Sequence, residues 1–219
     1  MGSLTWKGGP GVWSDAANWS IVSGTASVPG AADDATIDVA TNYVVTVSGT
    51  QAAHNVTLNA SGAKLTVTGT FAVGGTLFDQ SGTLITSAAS VLQGGKYALV
   101  GGSETIGDGS TLDGTTWQNP LALPSTGTIN IRNGLTLQGS GGAGPGALTI
   151  ATGSTKLMFL DSTTLDNAAL GLSSFIAGGE EIASAAGALM GKKFLLLFSK
   201  RRLSSCSFLK KRTKKLLSV

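Results

Sequence analysis

Short runs in which apolar and polar residues alternate recur along most of this chain. Tyr43-Val-Val-Thr-Val47, Asn55-Val-Thr-Leu58 and Lys64-Leu-Thr-Val67 alternate with a period of two, as do Thr128-Ile-Asn-Ile131, Leu135-Thr-Leu137, Leu148-Thr-Ile150 and Lys156-Leu-Met-Phe159. That period puts successive side chains on opposite sides of an extended backbone, so each run predicts a short strand with one buried face. Gly, Ser, Asn or Asp fill nearly every gap, and these are the residues that turns use. A longer repeat overlies the short one. Val47 and Val67 are 20 residues apart, and Val73, Leu92, Leu112, Ile131 and Ile150 follow one another at 19, 20, 19 and 19. Such spacing predicts stacked coils, each burying its inner face only against its neighbours. An antiparallel sandwich also produces strands every 8–12 residues or so, at about half this spacing. The scarcity of Asn-Gly and Asp-Gly hairpin pairs and the recurrence of Thr-Gly-Thr and Ser-Gly-Thr corners favour coils. The expected fold is therefore all-β, a parallel β-helix (β-solenoid) of short coils, with a β-sandwich as the alternative.

The two ends depart from this pattern. Residues 1–31 open with Trp6, Trp13 and Trp19 around a Gly8-Gly9-Pro10-Gly11 turn, followed by a second turn at Pro29-Gly30. Large aromatics so close together predict an apolar plug over the open end of a β-structure. A platform on which sugar rings stack is the other reading, and it makes Trp6, Trp13 and Trp19 the candidate ligand-binding residues. The coils occupy residues 32–174. Residues 175–191 are rich in Ala and Gly and are expected to form a linker or a short helix. Residues 192–219 alternate apolar clusters with Lys/Arg clusters.

Charge separates body from tail. Residues 1–191 hold all 12 acidic residues and five basic ones, a net of −7, whereas residues 192–219 hold ten basic residues and no acid, a net of +10. The overall +3 is a sum of unlike parts, so a nucleic-acid-binding reading of the whole chain is rejected. The tail could lie on an anionic membrane as a cationic amphipathic helix. Its abrupt change of composition, which includes the only cysteine, Cys206, instead favours non-native read-through. With 32 glycines and only 12% charged residues over the whole chain, the composition suits neither disorder nor long helices in the body. Without cysteine it can hold neither a disulfide nor a Cys-based metal site.

Chemistry-bearing motifs are few. His54 is the only histidine and sits next to Asn55 at a strand start, where a turn role is expected rather than catalysis. No Gly-x-Ser-x-Gly elbow and no phosphate-binding loop occurs. Solenoid glycosidases and lyases use a pair of carboxylates to flank the scissile bond. The close groupings here are Asp33/Asp34, Asp108/Asp113 and Asp161/Asp166, the first two in turn-like contexts. Calcium-binding loop patterns are absent. No catalytic residue, metal ligand or cofactor is expected.

The opening Trp6-x-Gly-x-x-Gly-x-Trp13-x-x-x-x-Asn18-Trp19, then Pro29-Gly30 and Asp34 followed by Ile37 and Val39, precedes Thr/Gly-rich coils that include Thr163-Thr-Leu-Asp-Asn167. Together these resemble bacterial autotransporter-like and large repetitive surface proteins, over about 170 residues. The resemblance implies a right-handed β-helix and an exported protein, extracellular or on the bacterial cell surface. It implies a non-enzymatic role, adhesion or matrix interaction, with surface glycans or other extracellular surfaces as partners. The alternatives are a carbohydrate-active β-helix enzyme and a non-functional gene fragment. No leader, translocator barrel or long coil array is visible, so the chain is expected to be a fragment of a longer protein.

Overall fold

The computed structural model describes residues 1–124, 126–150, 154–172 and 181–184. These form a β-solenoid of about 7 turns. Each regular coil lays down three short strands, which stack on their counterparts one coil away to make three faces. Face a begins with Ser3–Trp6, Asp34–Ile37, Val56–Leu58, Thr76–Asp79 and Lys96–Leu99. Face b begins with Gly11–Val12, Tyr43–Val47, Ala63–Val67, Thr83–Thr86 and Ser103–Thr105. Face c begins with Thr50–Ala53, Thr70–Val73 and Val91–Gln93. Further along, the long strands Thr111–Gln118 and Thr126–Gln138 each serve faces c and a, bending at Gly114 and at Asn133-Gly134, where φ is positive.

Between the described strands every pairing is parallel except that of Ser3–Trp6 with Trp19–Ser23. A sandwich built from hairpins is thereby ruled out. The alternating runs read from the sequence fall on strands: Tyr43–Val47 is one from end to end, and Leu148–Ile150 and Lys156–Phe159 lie inside Gly146–Ile150 and Ser154–Phe159. The solenoid does not end at residue 174 as expected. Glu181–Ser184, assigned by composition to a linker or short helix, pairs in parallel with residues 156–159, because the top of face c offers an unpaired strand edge. The remainder of 175–191, and the basic tail 192–219, lie outside the described residues.

The periodic spacing has a direct physical consequence. Residues one coil apart stand in register, so the core consists of vertical columns of side chains. On face a, Leu4, Ala35, Val56, Leu77, Tyr97, Trp117 and Leu137 form one column, each in register with the next and each buried. On face b, Val45, Leu65 and Leu84 form another. Each fully buried aliphatic side chain contributes about 1.5–3 kcal/mol, so the columns supply the main stabilisation. Close stacking also decides where glycine is required. A Cβ on Gly69 would run into the carbonyl oxygen of Gly49, one coil below, so only glycine fits at that corner.

Two columns are broken by acids. Ile37, Leu58, Asp79 and Leu99 stand in register, which turns the Asp79 carboxyl inward. On face b, Glu104 follows Val45, Leu65 and Leu84 in register. At that level face b divides into a five-strand sheet ending at Ser103–Thr105 and a three-strand sheet beginning at Leu121–Leu123.

Candidate functional site

The tryptophans close the bottom of the solenoid. Trp6 ends the first face-a strand, Trp13 follows Gly11–Val12, and Trp19 starts the antiparallel strand that pairs with Ser3–Trp6. The rings meet edge to face: Trp6 and Trp19 at 5.0 Å, Trp13 and Trp19 at 4.8 Å, Trp13 and Phe71 at 4.9 Å. Trp19 Nε1 donates to the Trp13 carbonyl at 2.7 Å, and Trp6 Nε1 to the Gly9 carbonyl at 3.0 Å. The three residues are at most 3% exposed. A sugar-stacking platform needs a free ring face, and here the rings cover one another and Phe71. The assignment of Trp6, Trp13 and Trp19 as ligand-binding residues is therefore corrected: they are the apolar plug that burial energetics favours.

The carboxylates go to corners. Asp15 accepts from Ala17 N, Asp33 from Gly2 N and Gly30 N, and Asp34 from Asn55 N. Asp79 accepts from Gly82 N, Asp108 from Thr128 N, Asp161 from Asn133 N, and Asp166 from Asn167 N. Most of these N–H groups lie in turns or at strand ends, the usual service of Asp in turns, while those of Thr128 and Asn133 lie within the strand Thr126–Gln138. His54 Nδ1 lies 3.1 Å from Asp34 Oδ1, and Asn55 Nδ2 is 2.9 Å from both. This polar knot ties two successive coils at a half-exposed corner.

The pairs that are close in sequence do not form sites. Asp108 and Asp113 turn to different partners, and so do Asp161 and Asp166. What the fold brings together is one coil apart. Asp113 stands in an outward column on face c, above Gln93 and below Arg132. Arg132 Nη2 donates to its Oδ2 at 2.7 Å, Asn133 Nδ2 to its Oδ1 at 2.6 Å, and Gln93 Nε2 reaches Oδ2 at 3.5 Å. Asp161 joins through Asn133 N at 2.9 Å, and its Oδ1 is buried without a partner. Asp113 is only 3% exposed. Its burial alone would raise the pKa; the hydrogen bonds from Arg132 and Asn133 and the Arg132 charge outweigh this and hold it below its ordinary value. The same pairing, with help from Asp161, pushes the Arg132 guanidinium further up. Such a carboxylate is a fixed anion with both oxygens engaged, unsuited to trade protons. The sequence singles out Arg132 as a possible partner of a carboxylate but does not by itself join it, Asn133 or Gln93 to Asp113; their offsets of 19 and 20 from Asp113, equal to the coil repeat, carried that signal.

Hydroxyl ladders line other outward positions. Thr5, Thr36 and Thr57 stack on face a, and Thr46 with Thr66 on face b. Among the described residues no group of three His, Cys, Asp or Glu converges to hold a metal ion, and no helix is long and apolar enough to cross a membrane. Compared with protein families, curated proteins and solved structures, the chain matches none.

Proposed function

We propose that this chain is a non-enzymatic interaction module of an exported or cell-surface protein, in which a solenoid presents polar ladders to glycans or other extracellular surfaces. One observation carries the reading. Among the described residues, seven aspartates accept from main-chain N–H groups, Asp34 is further tied to His54 and Asn55, and Asp113 is held in a closed ion pair. A glycosidase or lyase needs an acid and a base that flank a bond and exchange protons with it; neither oxygen of Asp113 is free for that. The Thr ladders, with rungs about 4.8 Å apart, offer a flat, regular array of hydroxyls that suits a repeating polysaccharide. The Trp/Gly opening, similar to those of large bacterial surface proteins, supports the setting.

The test is a binding screen against immobilised polysaccharides and matrix proteins, run in parallel with an assay for released reducing ends and unsaturated sugars. Binding without product is the expected result. Turnover that Asp113→Asn or Asp161→Asn abolishes would overturn the proposal in favour of a carbohydrate-active enzyme.

A further inference from the structure

We infer that the strand Trp19–Ser23 is a self-association edge, on which a second copy of this chain adds its own Trp19–Ser23 strand antiparallel about a two-fold axis. Among the described residues this strand is the last in its sheet and pairs on one side only, with Ser3–Trp6. No strand among them pairs with its other side. Edges of this kind recruit further strands unless a charge, a proline or a covering segment blocks them. Here the sequence is Trp-Ser-Ile-Val-Ser, with neither charge nor proline. Beyond Trp19 every residue of the strand is exposed, and Ile21 and Val22 are 53% and 67% exposed. These two are neighbours, so they project to opposite faces of the strand, and a mate would find an apolar side chain on either face.

A second copy is the partner these features fit. An antiparallel strand pair is self-complementary: the same patch serves both subunits, as a two-fold interface requires. Charge points the same way. Residues 32–174 hold nine acids against four bases, so the coils of two copies repel along their sides; attraction of the +10 tail to those coils is the competing contact, and high salt suppresses it. Residues 1–31 carry one charged side chain of each sign, Lys7 and Asp15, and are neutral. The cap is thus where two acidic bodies can approach most closely. One five-residue strand pair buries well under the ~1,200 Å² of a stable specific interface, so the dimer is weak and concentration dependent.

The experiment is sedimentation of the full chain from about 10 μM to about 1 mM, in low and in high salt, where mass action reveals weak pairing. The average mass is expected to climb from 21.9 kDa towards twice that value, and to persist in high salt. Val22→Lys and Val22→Glu, each checked for an unchanged β spectrum and tryptophan emission, are expected to be monomeric alone. An equimolar mixture of the two is expected to regain association. A wild-type chain that stays monomeric throughout would overturn the inference, as would association that salt abolishes and Val22→Lys leaves intact.

Discussion

The lower coils, up to about residue 75, and those that follow use the same three-strand repeat but fill it differently. In the lower part the inward columns are apolar except for the Tyr43 hydroxyl, which is buried without a partner, and the Trp6, Trp13, Trp19 and Phe71 rings close the end. Above them, polar groups enter the interior. Asp79 interrupts the column of Ile37, Leu58 and Leu99, and one of its oxygens has no partner. Thr86 takes the place in register with Val47 and Val67, where its hydroxyl meets Ser110 at 2.9 Å and, through it, Ser90. The Tyr97 hydroxyl, Trp117 Nε1 and Thr115 hydroxyl are buried without partners. Glu104 stands at the break in face b, accepting from Ala122 N, and burial raises its pKa. A coil repeat specifies which positions face inward; it does not ensure that what faces inward is apolar. The lower coils should therefore act as the stable anchor, and the upper ones should hold the pH-sensitive weakness.

The sharpest way to break this contrast is to remove the anchor. Trp13→Ala leaves a hole between Trp19 and Phe71 and should cost about 3–5 kcal/mol in urea unfolding. A smaller loss than for any substitution in the upper coils would show that the plug is not the anchor.

Asp79→Asn tests the opposite sign. Burial, aided by the nearby Glu104 charge, pushes Asp79 up to about 6 from 3.8, against the pull of the Gly82 and Ser81 N–H groups. Because the folded chain binds this proton more tightly, stability is intact below the unfolded value, falls as pH rises toward about 6, and stays reduced above. Asparagine keeps an oxygen for Gly82 N and carries no charge, so it should stabilise by up to about 3 kcal/mol at pH 7.5 and leave stability near pH 4 almost unchanged. Thermal melts at the two pH values check this; equal shifts at both would remove Asp79 from the explanation.

Arg132→Met follows. It leaves Asp113 buried with Asn133 and Gln93 as its remaining partners. The guanidinium side chain is 44% exposed, so the loss should be about 2 kcal/mol at pH 7, below that of a fully buried pair. The folded value of Asp113 is depressed, so the pair's contribution is present above the unfolded pKa and lost as pH falls. The penalty of Arg132→Met should accordingly shrink at pH 3. The smallest change expected is Trp117→Phe. The ring stacks on Tyr97 at 5.4 Å and 13°, and phenylalanine retains the stack while removing an unpartnered N–H, so stability should move by less than about 1 kcal/mol.

Much of this was legible residue by residue. Period-two runs located the strands because burying one side of a strand requires alternation. Even Asp79 was readable: in Thr76-Leu-Phe-Asp79 it shares a face with Leu77, two positions before it. The turn roles of Asp33, Asp34 and Asp108 were legible, but the partners of Asp113 were not, because stacking brings together residues a full coil apart. Asp113 meets Arg132 and Asn133, not Asp108. The strand at Glu181–Ser184 was hidden because an Ala/Gly-rich segment has little β-propensity of its own, and the open edge of face c supplies the hydrogen bonds.

By itself, then, the sequence determined the local extended structure, the coil repeat and the aromatic plug, since alternation, glycine corners and apolar clustering are properties of neighbouring residues. Only the tertiary structure decided which acids are partnered, that the tryptophan faces are closed to ligands, where face b divides, and which strand edge is left open. Those outcomes depend on what stands one coil above or below, and vertical register is set by the stacking of whole coils rather than by any one of them.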